Sequence, residues 1–534
     1  MNEGVDLLTF GVMAVLFISA ILALGYYGYR NTRNSDEFLL GKNKANPIII
    51  ALSYGATFLS ASAVIGFGGQ AAVHGASLMW LCFLNLALGV AVAFIVFGNR
   101  TRSLGHKVGA STFADLLGKV YKSKGVRIFT AVIIIVMMPI YCAAVLKGGV
   151  NSLAVMTGLN YNAMLLILSA VVGIYVVYGG IIAVMYNDAL QAVIMLAGMI
   201  AIFVVTIGTL GLDAFQQLAE LPVSQVGTLP GANGWVEFPT FLSPEWLTVI
   251  TTFVLGVGIG ALTQPQLAVR FMSSKDSKSL NKSMVIGCIF IFIIVGIAYT
   301  IGPLSNLYFY NEHGEIAATY VTKGIDFIIP TFIVELFSDF TFGDVFVSLF
   351  LISLIAASIS TISALMHTIG AAGGYDVYSA IMSRKKGEDV DVKSLPVNRT
   401  VTMVMLVLVV VYCYLMPSDI IAKATSVFMG MTAASLLPAY LHALYSKNPN
   451  KGAAFNSVVA GSVTYLFWAL FVNSGSSIFL PICKFLTGKQ VLFDSTVMYV
   501  DALVVALPVS AIVMAISLLV ARKSAASKEV SVSE

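Results

Sequence analysis

Apolar residues in this chain come in long uninterrupted runs. Thirteen of them, near 6–29, 46–73, 77–98, 126–151, 162–179, 187–211, 247–269, 284–308, 343–378, 399–417, 420–446, 453–472 and 497–521, are long enough to read as spanning helices. A helix needs about 20 mostly apolar residues to cross the hydrocarbon core. The pattern therefore predicts an all-α integral membrane protein with about 13 transmembrane helices. The run 343–378 exceeds one crossing, so its helix is expected to tilt or to continue past the bilayer. Three longer polar segments, 212–246, 309–342 and 473–496, separate the runs, and 212–220 (LDAFQQLAE) is expected to form a short surface helix. The polar tail 522–534 is expected to be disordered.

Composition agrees with lipid as the solvent. The 534 residues are 58% hydrophobic and 10% charged, against about 25% charged in a soluble domain. The distribution of charge carries more than its net value of +4. With the N-terminus outside, one side receives Arg30, Arg33, Lys42, Lys44, the cluster Arg100 to Arg127, Arg270 to Lys282, Arg384 to Arg399, Lys447, Lys451 and the tail from Arg522. The other side receives only Lys323, Lys484 and Lys489 in its loops. Positive charge marks the cytoplasmic side, so the expectation is a multi-pass plasma-membrane protein with its C-terminus cytoplasmic. The Asn-x-Ser/Thr matches at Asn281 and Asn398 then fall inside and are discarded as glycosylation sites. The N-terminus lacks the basic region of a signal peptide. Cys82, Cys142, Cys288, Cys413 and Cys483 form no CxxC pair, so they read as packing residues, without a disulfide framework or a zinc site.

Polar groups and helix breaks inside apolar runs are where chemistry is expected, because a central Asp or Lys costs about 2.5–3.5 kcal/mol on the insertion scale. Four stretches stand out. Residues 51–70, ALSYGATFLSASAVIGFGGQ, mix Thr57, Ser60 and Ser62 with Gly55, Gly66, Gly68 and Gly69. Glycine lets a helix unwind, which frees carbonyls for a small cation; close packing through small residues explains the pattern equally well. Residues 255–270, LGVGIGALTQPQLAVR, place Thr263, Gln264 and Gln266 around Pro265. The two interrupted helices lie five apart in the helix count, and paired interruptions point to a transporter built from inverted repeats. In 354–370, LIAASISTISALMHTIG, Ser360, Ser363 and His367 share one helix face, with Thr361 beside them. These hydroxyls read as ligands, against the plainer reading of bonds to carbonyls one turn back; His367 reads as an interhelical hydrogen-bonding group. In YGGIIAVMYNDALQ, residues 178–191, Asp188 either complements a helix N-terminus or approaches a cation.

Taken in order, SDEFLLGKNKANPIIIALSYGATFLSAS, YGGIIAVMYNDALQ, QPQLAVRFMSSKDSKSLNKS and ASISTISA resemble the sodium:solute symporter family over nearly the whole chain, residues 6–521. The resemblance implies a LeuT-type fold: a leading helix (6–29), five-helix repeats at 46–211 and 247–446 in inverted orientation, two trailing helices (453–521) and a cytoplasmic tail. It implies sodium held by the carbonyls of Ala56, Leu59 and Ala357 and the hydroxyls of Ser360 and Thr361. It leaves a second sodium open at Asp188 and Ser363, because Ala364 stands where a further serine would help. Substrate would lie beside the break, at Thr57, Phe58 and Ser60, with Thr263 and Gln264 at the second break. Ala63 replaces a hydrogen-bonding side chain of sugar carriers, and Phe58 replaces an acidic residue of proline carriers, so neither assignment transfers directly.

Lys147 either snorkels to the headgroups or meets a substrate carboxylate. The second option, with YNDALQAVIMLAG and VRFMSSKDSK, looks most like the pantothenate and monocarboxylate branch. The expectation is thus sodium-coupled import of a small carboxylate by alternating access, with a proline-like amino acid or a sugar as alternative substrates. A solute-gated channel or sensor on the same fold is the runner-up of another class. Sodium is the expected coupling ion, with proton coupling as the alternative, and no organic cofactor is expected. The expected partners are a solute and the bilayer, without nucleic acid or an obligate protein partner. The scattered His residues and the lack of a nucleophile–base pair argue against an enzyme. Each sodium entering across 100 mV contributes about 2.3 kcal/mol, and a tenfold sodium ratio adds about 1.4 kcal/mol. A monoanion carried with one sodium moves no net charge and keeps only about tenfold accumulation.

Overall fold

The computed structural model describes residues 5–41, 45–227, 229–338, 340, 342–386, 392–417, 421–479 and 481–533. Among these the chain is helical, with one isolated bridge between Ala45 and Ser274. Eleven helices are long and apolar enough to cross a membrane. Each of the thirteen apolar runs overlaps helix in the described residues, but two mergers keep them from standing as thirteen separate long helices. The fifth and sixth runs share α7, Tyr161–Leu210, which bends at Gly180. The second half of the second run continues into the third as Ser62–Val108.

The elements that position the site follow chain order. Helix α1 (Leu7–Asn31) leads and packs on α7. Helix α2 (Pro47–Phe58) starts at Asn46, whose Oδ1 accepts the Ile48 N–H at 2.9 Å, with Pro47 in the first turn; proline suits that position because its missing N–H would be unpaired there. The helix stops at Leu59 (φ −86, ψ 79). A π turn over Ser62–Gly66 then leads into α3 (Phe67–His74). A short connecting helix, α4 (Phe113–Tyr121), precedes α5 (Lys124–Thr157), and the half of α7 ahead of Gly180 is α6.

The second interruption mirrors the first. The chain passes from Gly256–Gly260 (α8) through a 3-10 turn at Ala261–Thr263 to an extended Gln264, and resumes at Pro265 as α9 (Pro265–Met272). Residues before proline favour extended backbone, which places the break at Gln264. Helix α10 (Ser277–His313) follows. Helix α11 (Gly343–Ala371) continues through a π turn into Tyr378–Lys386, so the long run at 343–378 does extend past one crossing. Helix α11 packs on α7, α5 and α2. Helices α12 (Leu395–Leu415) and α13 (Ile421–Tyr445) follow, and the trailing pair α14 (Lys451–Phe471) and α15 (Ala502–Ser533) packs on α13. The last helix runs to Ser533 where the sequence suggests a disordered tail; Ala, Lys and Glu there are good helix formers that prolong an existing helix. The expected surface helix is present at Ala214–Ala219.

One glycine is required by geometry. Gly180 has φ +56, and a Cβ there would meet the Phe38 carbonyl oxygen at 2.9 Å. The bend lets Asp188, eight residues later, turn inward against α2.

Candidate functional site

The first break and α11 meet as the serine–threonine pattern suggests. The Ser360 hydroxyl donates to the Ala56 carbonyl at 2.9 Å and to the Ala357 carbonyl at 3.1 Å. Thr361 donates to the Thr57 carbonyl at 3.1 Å. All of these residues, and Leu59 at the break, are buried. Hydroxyl and carbonyl oxygens thus converge between α2 and α11, and a rotated hydroxyl turns its lone pair inward. Hard oxygen donors of this kind suit a small hard cation. Among the described residues no cluster of three His, Cys, Asp or Glu side chains could hold a transition metal.

One helical turn away lies a fully buried ion pair. The Asp188 Oδ2 accepts from Arg270 Nη2 at 2.7 Å, from Ser53 Oγ at 2.8 Å and from Thr57 Oγ1 at 3.2 Å. Ser363 Oγ is 3.4 Å from the other carboxylate oxygen. Arg270 also donates from Nε to Ser53 Oγ at 2.8 Å, from Nη2 to Thr57 Oγ1 at 2.5 Å, and from Nη1 to the Gln266 carbonyl at 2.6 Å. Thr57, expected beside the substrate, therefore turns its hydroxyl to this pair. Arg270 is the residue that sequence reasoning missed: it counted as a loop charge. Its signal was its place inside LAVRFM, a short apolar helix started by Pro265.

Beyond the break a second polar cluster forms. Ser60 Oγ accepts from Tyr141 at 3.3 Å and from the Ser62 N–H at 3.1 Å. Thr425 donates to Ser62 Oγ at 2.8 Å. The Tyr141 and Phe428 rings stack with centroids 5.2 Å apart. This cage draws on the break, α5 and α13; Ser60 was expected there, whereas Ser62 was noted only as part of the break, and Tyr141, Thr425 and Phe428 carried no local signal. Phe58 is buried. At the second break Gln264 Nε2 donates to the Gly260 carbonyl at 2.8 Å and to Thr432 Oγ1 at 3.0 Å, while the buried Thr263 hydroxyl has no partner among the described residues.

Lys147 does not join these groups. Its amine donates to the Met416 carbonyl, just past the end of α12. A second buried pair lies at the other end of the interrupted helices. His74 Nδ1, at the end of α3, is 2.5 Å from Glu245 Oε1, in the turn that begins the second interrupted helix. Its Nε2 faces Gln70 Oε1 at 3.2 Å. His367, finally, bonds the Phe38 carbonyl at 2.8 Å, an interhelical contact as the sequence suggests.

A model of the Sodium:solute symporter family matches residues 38–461. The chain belongs to the sodium:solute symporter family. Sodium/proline symporter 2 of Staphylococcus saprophyticus is 27% identical over 472 residues, covering 88% of this chain and 87% of that protein. The osmoregulated proline transporter OpuE of Bacillus subtilis is 25% identical over 459 residues, covering 85% of this chain and 87% of that protein. The substrate-bound, outward-open structure of a sodium-coupled sialic acid symporter superposes with a TM-score of 0.74 at 16% identity, covering 95% of this chain and 97% of that one. The fold is of the LeuT type, and the chain is a multi-pass membrane protein and a sodium-coupled transporter, not an enzyme.

Proposed function

We propose that this symporter imports a small zwitterionic amino acid of the proline class together with sodium. The observation that carries the reading is the likeness to proteins named as proline transporters over 85% and 88% of the chain. The site supports it. Ser60, Ser62 and Thr425 offer hydroxyls to both ends of a zwitterion, and Tyr141 stacked on Phe428 offers an apolar wall. Phe58 takes the place of the acidic residue of proline carriers, so the amine has to rely on hydroxyl and carbonyl oxygens.

The monocarboxylate reading drew on the stretches YNDALQAVIMLAG and VRFMSSKDSK and on Lys147, whose amine is committed to the Met416 carbonyl instead. Sodium would sit among the oxygens of Ala56, Leu59, Ala357, Ser360 and Thr361. Its binding would hold α2 against α11 and order the adjoining cage, a shift of population toward the solute-binding state. The basic loops would face the cytoplasm of a plasma membrane, and within the two five-helix repeats, 46–211 and 247–446, a four-helix bundle would rock against the rest to alternate access.

The test is uptake into proteoliposomes with labelled L-proline, other amino acids, pantothenate, a short monocarboxylate and a sugar, under an inward sodium gradient or with choline in its place. The expected result is sodium-dependent accumulation of L-proline or a close zwitterion. Accumulation of pantothenate or the monocarboxylate, with none of any amino acid, would overturn the substrate reading.

A further inference from the structure

Lys447 and Arg522 entered the sequence reading only as positive charge on the basic side of the chain. The structure brings them to one concave place. The end of α13 and the far half of α15 line a cavity of about 780 Å³. Ser446, Lys447, Asn448, Asn450 and Arg522 form its polar rim, and Ala515, Leu518 and Leu519 of α15 its apolar wall. Arg522 stands about 20 residues, or about 30 Å of helix, beyond Ala502 at the start of α15, which is the thickness of the hydrocarbon core. The apolar wall is thus at acyl-chain depth and the rim at headgroup depth. Both cations are exposed, and neither has an ion-pair or hydrogen-bond partner among the described residues. Asn450 spends its Oδ1 on the Ala453 N–H at 2.9 Å, which leaves its amide donors. Among the described residues no carboxylate lines the cavity.

We infer that this cavity seats the headgroup of one anionic phospholipid, with its acyl chains along Leu518 and Leu519. The inference goes beyond solute transport, and it rests on the proposed orientation only for calling that leaflet cytoplasmic. A cation just past the end of α13 complements that helix's dipole. This accounts for Lys447, but not for a second cation on another helix or for the lack of an acid beside the two. A phosphodiester brings one negative charge and acceptor oxygens, which match two cations and an amide donor. Basic recesses between spanning helices suit anionic headgroups for this reason. Each basic residue near an anionic lipid is worth about fivefold in affinity, so the pair is worth about thirtyfold. Phosphatidylcholine gains less, because its trimethylammonium group meets the same two cations. The bound lipid ties α13 to α15. It also abuts His442, which lines the cavity and stacks on Tyr121 of α4 with ring centroids 5.9 Å apart.

The test titrates phosphatidylglycerol and, separately, phosphatidylcholine into the delipidated full-length protein in detergent, read by native mass spectrometry, with gel filtration as the check of folding. The wild type is expected to hold one phosphatidylglycerol at least tenfold more tightly than phosphatidylcholine. Lys447→Gln combined with Arg522→Gln is expected to lose at least tenfold of that affinity. Lys278→Gln combined with Lys282→Gln removes the same charge from exposed positions on the same side, outside the cavity lining, and is expected to stay within twofold of the wild type. All four residues are exposed, so these substitutions are expected to leave the fold intact. Equal losses in the two double variants would show attraction to the whole basic face and overturn the inference, as would a wild type that does not distinguish the two lipids. Glycerol 3-phosphate at millimolar concentration, which has the phosphate but no acyl chains, is expected to leave the lipid in place. Its displacing the lipid would assign the cavity to a soluble phosphate ester and overturn the lipid as occupant.

Discussion

Ser360 is the side chain on which the sodium reading turns, because its hydroxyl reaches a carbonyl of the first interrupted helix and one of its own. Hydrogen bonds and ligand contacts to charged groups contribute about 1.5–3 kcal/mol. Ser360→Ala should therefore raise the sodium concentration for half-maximal uptake by about 10- to 100-fold while the protein remains folded. Thr361→Ala should act in the same direction, through the contact at the Thr57 carbonyl. An unchanged sodium dependence in both variants would remove these residues from the site. The serine–threonine run was legible because helical spacing alone puts 360 and 363 on one face. Arg270 was not, because a cation near a loop reads as loop charge until its partner is known, and Asp188 lies 82 residues away in sequence. Tyr141, Thr425 and Phe428 were hidden for the same reason: each belongs to an unbroken apolar helix, and only packing brings them to the first break.

At the scale of elements, both interruptions could be read from glycine, proline and hydroxyl residues, since backbone propensity is local. How the halves lean on their neighbours is set by contacts that the sequence does not display. Gly260 shows this. A Cβ there would come within 2.5 Å of Met429 Cβ and 3.0 Å of the Met429 backbone carbon on α13. At Gly256, four residues earlier on the same helix, an added Cβ meets nothing closer than 3.7 Å. Overpacking of this kind costs about 1–3 kcal/mol. Gly260→Val is thus expected to lower the unfolding temperature and to reduce uptake at least tenfold, whereas Gly256→Ala should leave both nearly unchanged. Equal tolerance at the two positions would mean that α8 does not press on α13 as described.

For the whole molecule, the all-helical, many-spanning character and the order of the apolar runs survive in the structure, while their division into thirteen separate helices does not. Apolarity marks depth in lipid, but it does not register a bend such as Gly180 that joins two runs into one helix. Charge asymmetry speaks to orientation, and that can be measured. A fluorescent protein fused after Glu534 should fold and fluoresce inside the cell, and alkaline phosphatase fused at the same place should stay inactive. An active phosphatase would reverse the orientation proposed above.

The two interrupted helices are joined by buried side-chain contacts at both ends. Arg270 on α9 binds Ser53 and Thr57 on α2, and His74 on α3 meets Glu245 ahead of α8. Neither broken helix can therefore swing by itself without breaking buried hydrogen bonds, and a buried polar group left without its partner costs about 1–3 kcal/mol. A path open to both sides at once, through which ions would run down their gradient without solute, requires such a solitary swing. On the alternating-access reading proposed above, the paired rivets would act against leakage, keeping stored sodium energy from being dissipated between cycles.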